Sequence, residues 1–242
     1  MSKFKEVADR IKSSSYTVVF TGAGMSAESN IPTFRGRNGL WSKYNPMELA
    51  TPEAFRRDPY KVWEWYKMRM EIILNAEPHE GYYIISKWEK KGYVKRVITQ
   101  NVDGLHYRSG SRNILELHGN IFRGRCISCW YKVHFKEAPS EIPPRCPFCN
   151  SLIRPDVVWF GETLDTETIS KAYEEAARSD VFIVIGTSGV VYPAAELPII
   201  AKQYGSTIIE INIEETPISV YADYVFRMKA SEALSQIDKY ID

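Results

Sequence analysis

The chain has 242 residues, 44% of them hydrophobic and 25% charged. That is enough apolar material for one large α/β domain or for a main domain carrying a smaller one. A formal net charge of +1 supplies no global attraction for nucleic acid and leaves only local basic patches to consider. The opening MSKFKEVADRIKSSS is too polar for a signal peptide, and no later run approaches the ~20 apolar residues that cross a bilayer. A soluble, cytoplasmic protein without membrane contacts is expected.

In chain order, a helix is predicted over Lys3–Lys12 and a strand over Tyr16–Thr21, ending at Gly22. Residues Gly36–Ala76 are rich in aromatics and helix formers, with a helix start at Asp58-Pro59, a cap residue followed by proline in the first turn. A helix over Glu80–Lys90 and strands over Val94–Thr99 and Ile114–Leu117 follow. A cysteine- and proline-rich stretch occupies Asn120–Pro155. Beyond it come a helix at Thr166–Arg178, a strand at Val181–Ile185, a helix at Ala194–Tyr204, strands at Thr207–Ile211 and Tyr224–Phe226, and a helix at Glu232–Tyr240.

Short, continuously apolar strands alternating with helices predict a Rossmann-type parallel sheet covered on both faces. The sheet domain is expected to be discontinuous, from 1–35, 77–119 and 156–242. A helical module at 36–76 and a zinc module at 120–155 would form the small domain.

All four cysteines fall in that second insertion, as Cys126-x2-Cys129 and Cys146-x2-Cys149. In a cytosolic protein this spacing reads as one structural zinc site, closed by four thiolates. Redox-active pairs are the alternative.

The chemistry gathers at strand ends. Gly22-Ala-Gly-Met-Ser-Ala-Glu-Ser29 follows the first strand, as a glycine turn does where backbone must approach phosphates. By itself it also fits a generic strand–turn–helix, with Ala27 in place of the third glycine. Gln100-Asn-Val-Asp103, Leu117-His-Gly-Asn120, Gly186-Thr-Ser188 and Asn212-Ile-Glu214 close four further strands. A parallel sheet brings such ends to one rim, where ligands bind.

Taken in order, Gly22 through Gly36, Gln100–Asp103, Leu117–Gly119 and Gly186–Ser188, with the paired cysteine motifs between the last two, resemble the signature set of the sirtuins. The resemblance spans about Val18 to Ala230. It implies NAD⁺-consuming lysine deacylation, with NAD as co-substrate and one structural zinc. In that chemistry the acyl-lysine carbonyl oxygen attacks the nicotinamide ribose at C1′ and nicotinamide leaves. His118 helps deprotonate a ribose hydroxyl, and water finally yields free lysine and O-acyl-ADP-ribose. An imidazole suits the role because its ordinary pKa lies near neutrality.

The resemblance further assigns Asn101 and Asp103 to ribose and carboxamide contacts and Phe34 to shielding the reactive ribose, with Arg35 in the cofactor loop. Gly22, Ala23, Gly24, Ser26 and Gln100 match other cofactor contacts. Gly186, Thr187, Ser188, Asn212, Ile213 and Glu214 match the phosphate and adenosine-ribose side, with Ala230 near the adenine. Val158, Trp159 and Phe160 match the segment that pairs with an extended substrate peptide.

Tyr66 and Arg69 are three apart and so share one helix face. From the residues alone, this arginine also fits a solvated helix edge. Tyr66-x-x-Arg69 is similar to the pair of class III sirtuins, some of which remove succinyl and malonyl groups. A phenol and a guanidinium suit a carboxylate, so deacetylation together with desuccinylation or demalonylation is the expectation. Partners would be acylated-lysine proteins or peptides, chromatin-type proteins among them, without direct nucleic-acid binding. The alternatives are a mono-ADP-ribosyltransferase and, further off, an NAD-dependent dehydrogenase.

Overall fold

The computed structural model describes residues 2–35 and 39–241. Gly36, which closes the first motif and opens the expected helical module, lies outside the described residues, as do the expected bounds at 1 and 242.

A six-stranded sheet organises the molecule. Its strands are β1 (Thr17–Thr21), β2 (Val94–Thr99), β3 (Ile114–Glu116), β7 (Val181–Ile185), β8 (Thr207–Ile211) and β9 (Tyr224–Phe226), in the order β3-β2-β1-β7-β8-β9. Every pairing is parallel. The chain runs outward from β1 to one edge, then returns to build the other, so the order reverses between β1 and β7. Ligand crevices form at such a reversal.

Every residue of β1 and β7 is buried, which explains why both read as unbroken apolar runs. Their side chains alternate between two cores. Val19, Ile183 and Ile209 face α1 (Lys3–Ser13), α6 (Glu80–Lys90) and α10 (Ala230–Asp238). Val18, Phe20 and Phe182 face α8 (Thr166–Arg178) and α9 (Leu197–Gln203). Full burial of each such side chain contributes about 1.5–3 kcal/mol.

A third core lies off the sheet. Helices α3 (Pro46–Leu49), α4 (Pro52–Arg57) and α5 (Pro59–Leu74) pack on a three-stranded antiparallel sheet of β4 (Gly119–Cys126), β5 (Lys132–His134) and β6 (Ile153–Val157). Each of these helices starts with proline behind a side-chain cap: Asn45 to Met47 N, Thr51 to Ala54 N, Asp58 to Lys61 N. Trp63, fully buried on α5, donates its indole N–H to the Ile153 carbonyl at 2.7 Å.

Three sequence expectations change. Residues 194–204 are not one helix: a 3-10 turn at Ala194–Glu196 precedes α9. Pro198 has no N–H to give and fits only a first turn. Strand β3 stops at Glu116, and Leu117 donates instead to the Thr99 carbonyl. Helix α10 begins at Ala230 rather than Glu232. Glu28, 203 residues upstream, accepts from the Ser231 amide and hydroxyl and serves as its cap. No local pattern marks a cap supplied from so far away. Among the described residues no helix is long and apolar enough to cross a membrane.

Candidate functional site

A cavity of about 970 Å³ opens at the carboxyl ends of β1, β2, β7 and β8, roofed by α5 and the segment after β6. This is the upper end of the ~300–1,000 Å³ range of small-molecule sites.

Its floor is made where the turns after β1 and β7 touch. Gly24 N–H donates to the Gly186 carbonyl at 2.7 Å, and Gly22 N–H to Ile185 at 3.0 Å. A Cβ on Gly22 would lie 2.8 Å from the Gly186 oxygen, and one on Gly24 2.8 Å from the Gly186 Cα. Gly186 itself has φ +60, a conformation glycine adopts freely. The glycines thus fit two backbone turns together, and the amides at the start of α2 (Ala23–Ala27) sit beside the cavity.

Hydrogen bonds link the rest of the rim. Gln100 donates through Nε2 to Thr187 Oγ1 at 2.8 Å, and Asn212 through Nδ2 to the Thr187 carbonyl at 2.8 Å. Ser188, Ile213, Glu214, Ala230, Ala23, Phe34 and Arg35 also line the cavity.

His118 lies on the same rim. Its Nδ1 is 3.0 Å from the Gln100 carbonyl oxygen. A carbonyl only accepts, so Nδ1 carries the proton and Nε2 keeps a lone pair. Burial lowers the pKa of this imidazole below its ordinary value; the Gln100 bond opposes that and the Arg35 charge adds to it. The neutral, proton-accepting form is therefore the resting one at pH 7.

Two expected contacts, Ser26 and Asp103, are buried and joined to Asn101 in one hydrogen-bond network. Ser26 donates to Asp103 Oδ2 at 2.6 Å and accepts from Asn101 Nδ2 at 3.0 Å; Tyr82 OH lies at 2.8 Å. With its proton given to Asp103, Ser26 accepts from Tyr82 as well, which uses its full capacity. Asn101 spends its other amide hydrogen on the Gly22 carbonyl at 2.9 Å. Both its hydrogens are committed, so Oδ1 is the atom left to act as an acceptor in the cavity that Asn101 lines. Burial raises the Asp103 pKa, against hydrogen bonds from Ser26 and Leu105. Deeper still, Thr21 donates to Thr99 at 2.8 Å and meets His106 Nε2 at 3.0 Å. Burial lowers the His106 pKa to about 3.

On α5, Tyr66 and Arg69 both face the cavity and both are buried. The Arg69 guanidinium lies 4.8, 4.7 and 5.6 Å over the rings of Phe34, Trp65 and Tyr66. Burial lowers its pKa, opposed by Tyr66 and Asp103, yet a guanidinium keeps its charge in proteins. Tyr66 OH accepts from the Trp159 indole at 2.9 Å.

Val158, Trp159 and Phe160 line the cavity, but their amides are largely committed. Val158 N–H bonds the His118 carbonyl, Phe160 N–H the Ala50 carbonyl and Glu162 N–H the Trp159 carbonyl; Trp159 N–H goes to Glu162 Oε2.

Sequence reading missed Glu28, Trp41 and Trp65, which also line the cavity, and Tyr82 behind it. Glu28 lies inside the first motif, but no local signal marks its bond to Ser231.

The four cysteines converge, with every Sγ within 4.8 Å of the others. Separations of 3.4 and 3.5 Å for Cys126–Cys149 and Cys129–Cys146 are too long for disulfides. They lie near the ~3.8 Å edge of a tetrahedron with 2.3 Å metal–sulfur bonds. Each C-x2-C turn is followed by a residue in the left-handed region, Trp130 (φ 61) and Asn150 (φ 59), and amides of Ser128 and Cys129 point at Cys126 Sγ. This donor set fits one closed tetrahedral zinc.

The model of the Sir2 family matches residues 22–193. The NAD-dependent protein deacylase of Aeropyrum pernix is 53% identical over 234 residues, 97% of this chain and 96% of the relative. The protein of that name from Pyrococcus furiosus is 52% identical over 238 residues, 96% of this chain and 95% of its own. A crystal structure of a Sir2 homolog–NAD complex superposes with a TM-score of 0.93 at 50% identity, covering 98% of this chain and 93% of that one. A Sir2 with a deacetylated p53 peptide and 3′-O-acetyl ADP ribose superposes at 0.91 and 37% identity, covering 98% of each. With the family match running over most of its length and relatives above half identity along nearly all of it, the chain belongs to the Sir2 family.

Proposed function

We propose that this chain is an NAD-dependent protein-lysine deacylase that releases nicotinamide and O-acyl-ADP-ribose. The observation that carries the reading is the His118–Gln100 bond, which leaves a lone pair on a neutral imidazole at the rim of a nucleotide-sized cavity. Bound NAD⁺ would supply an activated ribose carbon, with nicotinamide as the leaving group and the ADP-ribose passing to the acyl oxygen. Toward it, the turns at Gly22–Gly24 and Gly186–Ser188, with Gln100, Asn101 and Asn212, hold the dinucleotide; Phe34 and Arg35 cover it, and Ile213, Glu214 and Ala230 flank the adenosine. His118 accepts the proton of a ribose hydroxyl at Nε2. Ser26 and Asp103 act through Asn101, by fixing its amide.

Acylated-lysine peptides lie along Val158–Phe160, and the acyl chain reaches toward Tyr66 and Arg69. Acetyl and dicarboxylic acyl groups are both substrates. The dinucleotide part is 1–35, 77–119 and 156–242; 36–76 and 120–155 form the smaller part, with zinc held by Cys126, Cys129, Cys146 and Cys149 as a scaffold. The expected setting is cytoplasmic, with chromatin-type proteins among the targets. The test is incubation with NAD⁺ and matched acetyl- and succinyl-lysine peptides. Release of nicotinamide together with O-acyl-ADP-ribose supports the reading. Reduced nicotinamide cofactor, or ADP-ribose left on a protein acceptor, refutes it.

A further inference from the structure

Two opposite charges meet under the peptide-facing segment. Arg154, on β6 and 7% exposed, directs Nη1 to Glu162 Oε1 at 2.5 Å and Nη2 to Glu162 Oε2 at 2.9 Å. Its Nη2 also reaches the Val157 carbonyl at 2.9 Å, and its Nε the Pro155 carbonyl at 3.2 Å. Four of the five guanidinium donors are thereby committed. Burial would raise the Glu162 carboxyl, but bonds from Arg154 and the Trp159 amide hold it below its usual value. A buried pair of this kind adds little to stability, because desolvation cancels much of the attraction. Its geometric effect is larger, since a bidentate fork fixes orientation as well as distance.

What it orients is Trp159. Glu162 Oε2 accepts the Trp159 backbone N–H at 2.9 Å, and the Arg154 guanidinium carbon lies 3.5 Å over the indole ring. The indole N–H then donates to Tyr66 OH at 2.9 Å. Because that phenol oxygen already accepts from Trp159, its own proton is turned elsewhere, and Tyr66 borders the cavity. One ion pair thus sets the backbone of the segment on one side and the hydrogen-bond polarity of the acyl end on the other.

We propose that Arg154 and Glu162 are positioning residues for the acyl-peptide side of the site, acting through Trp159 on Tyr66 and leaving the dinucleotide side untouched. The proposal rests on the deacylase reading for its kinetic arm. Its test is steady-state kinetics of Glu162→Gln against acetyl-lysine peptide and NAD⁺, combined with NMR of the ¹⁵N-indole resonance assigned by Trp159→Phe. A rise of at least tenfold in KM for peptide, with KM for NAD⁺ within twofold, is expected. The Trp159 indole N–H should shift and exchange faster. Equal rises in both KM values, a peptide KM within twofold of wild type, or an unmoved indole resonance overturns the proposal. Arg154→Lys, which keeps the charge and loses the fork, carries the same readouts where Glu162→Gln does not fold. If wild type releases no nicotinamide with any acyl peptide, the deacylase reading fails on its own, and the indole resonance alone decides the positioning claim.

Discussion

The guanidinium of Arg69 sits 4.8 Å over the ring of Phe34, so the charge proposed for an acyl carboxylate is stacked on the aromatic proposed to shield the ribose. Replacing Arg69 by Met keeps the bulk and removes the charge. A charge-assisted hydrogen bond is worth about 1.5–3 kcal/mol, so kcat/KM for a succinyl peptide should fall roughly 10- to 150-fold. For an acetyl peptide the change should stay within a few-fold. Equal losses on the two substrates would remove the carboxylate role.

His118→Ala should lower the rate of O-acyl-ADP-ribose formation by about 10²–10⁴, the usual value of a general base. The pH profile follows from the lowered pKa of this imidazole. The neutral base persists below the ordinary value of about 6.5, so kcat/KM, which reports the free enzyme's base, should hold at pH 7 and fall only on the acid side of that value. A profile whose acid limb lies above pH 7 contradicts the assignment.

His106 makes a separate prediction, for stability. Its pKa is about 3 in the folded chain and about 6.5 when unfolded. Between those values the unfolded state binds more protons, so stability declines as pH falls from about 6.5 toward about 3 and is fully present above. Denaturant midpoints measured across that window should show the slope, and His106→Gln should flatten it.

For the cysteine cluster, elemental analysis should find one zinc per chain, and Cys126→Ser or strong chelation should remove it. Loss of a structural metal belongs with the destabilisations above about 4 kcal/mol. At 2–4 °C per kcal/mol for a chain of this length, that is a drop of roughly 8–16 °C or more in Tm. Amide exchange should rise first at residues 120–157, while β1 and β7 stay protected.

Much of this arrangement was legible because parallel sheets sort residues by chemistry along the strand. VVFT and VFIVI announce buried centres, and the polar residues that follow each of them mark the rim. Asp58-Pro59 announced α5, and with it the shared face of Tyr66 and Arg69. Strand β4 stayed hidden because GNIFRGRC carries two glycines, two arginines and no regular alternation; its partners and the cysteine cluster hold it extended. Ser26 and Asp103 were placed among the cofactor contacts, yet spacing along a motif does not say that they bond to each other and, through Ser26, to Asn101. The Arg154–Glu162 pair was equally invisible, since eight residues across a strand end have no periodic relation.

Glu28 grips Ser231 from the far end of the chain, and this carries a consequence for how the protein is made. A polypeptide leaves the ribosome N-terminus first and folds as it emerges. The turn at Gly22–Gly24 is synthesised early, yet its neighbouring wall at Met228–Ala230 arrives some two hundred residues later. The nascent chain therefore has no finished nucleotide pocket until α10 has docked. A dinucleotide that binds only the completed pocket would favour that docked state by mass action, and the abundance of its ligand would then bear on how much of the newly made chain reaches maturity.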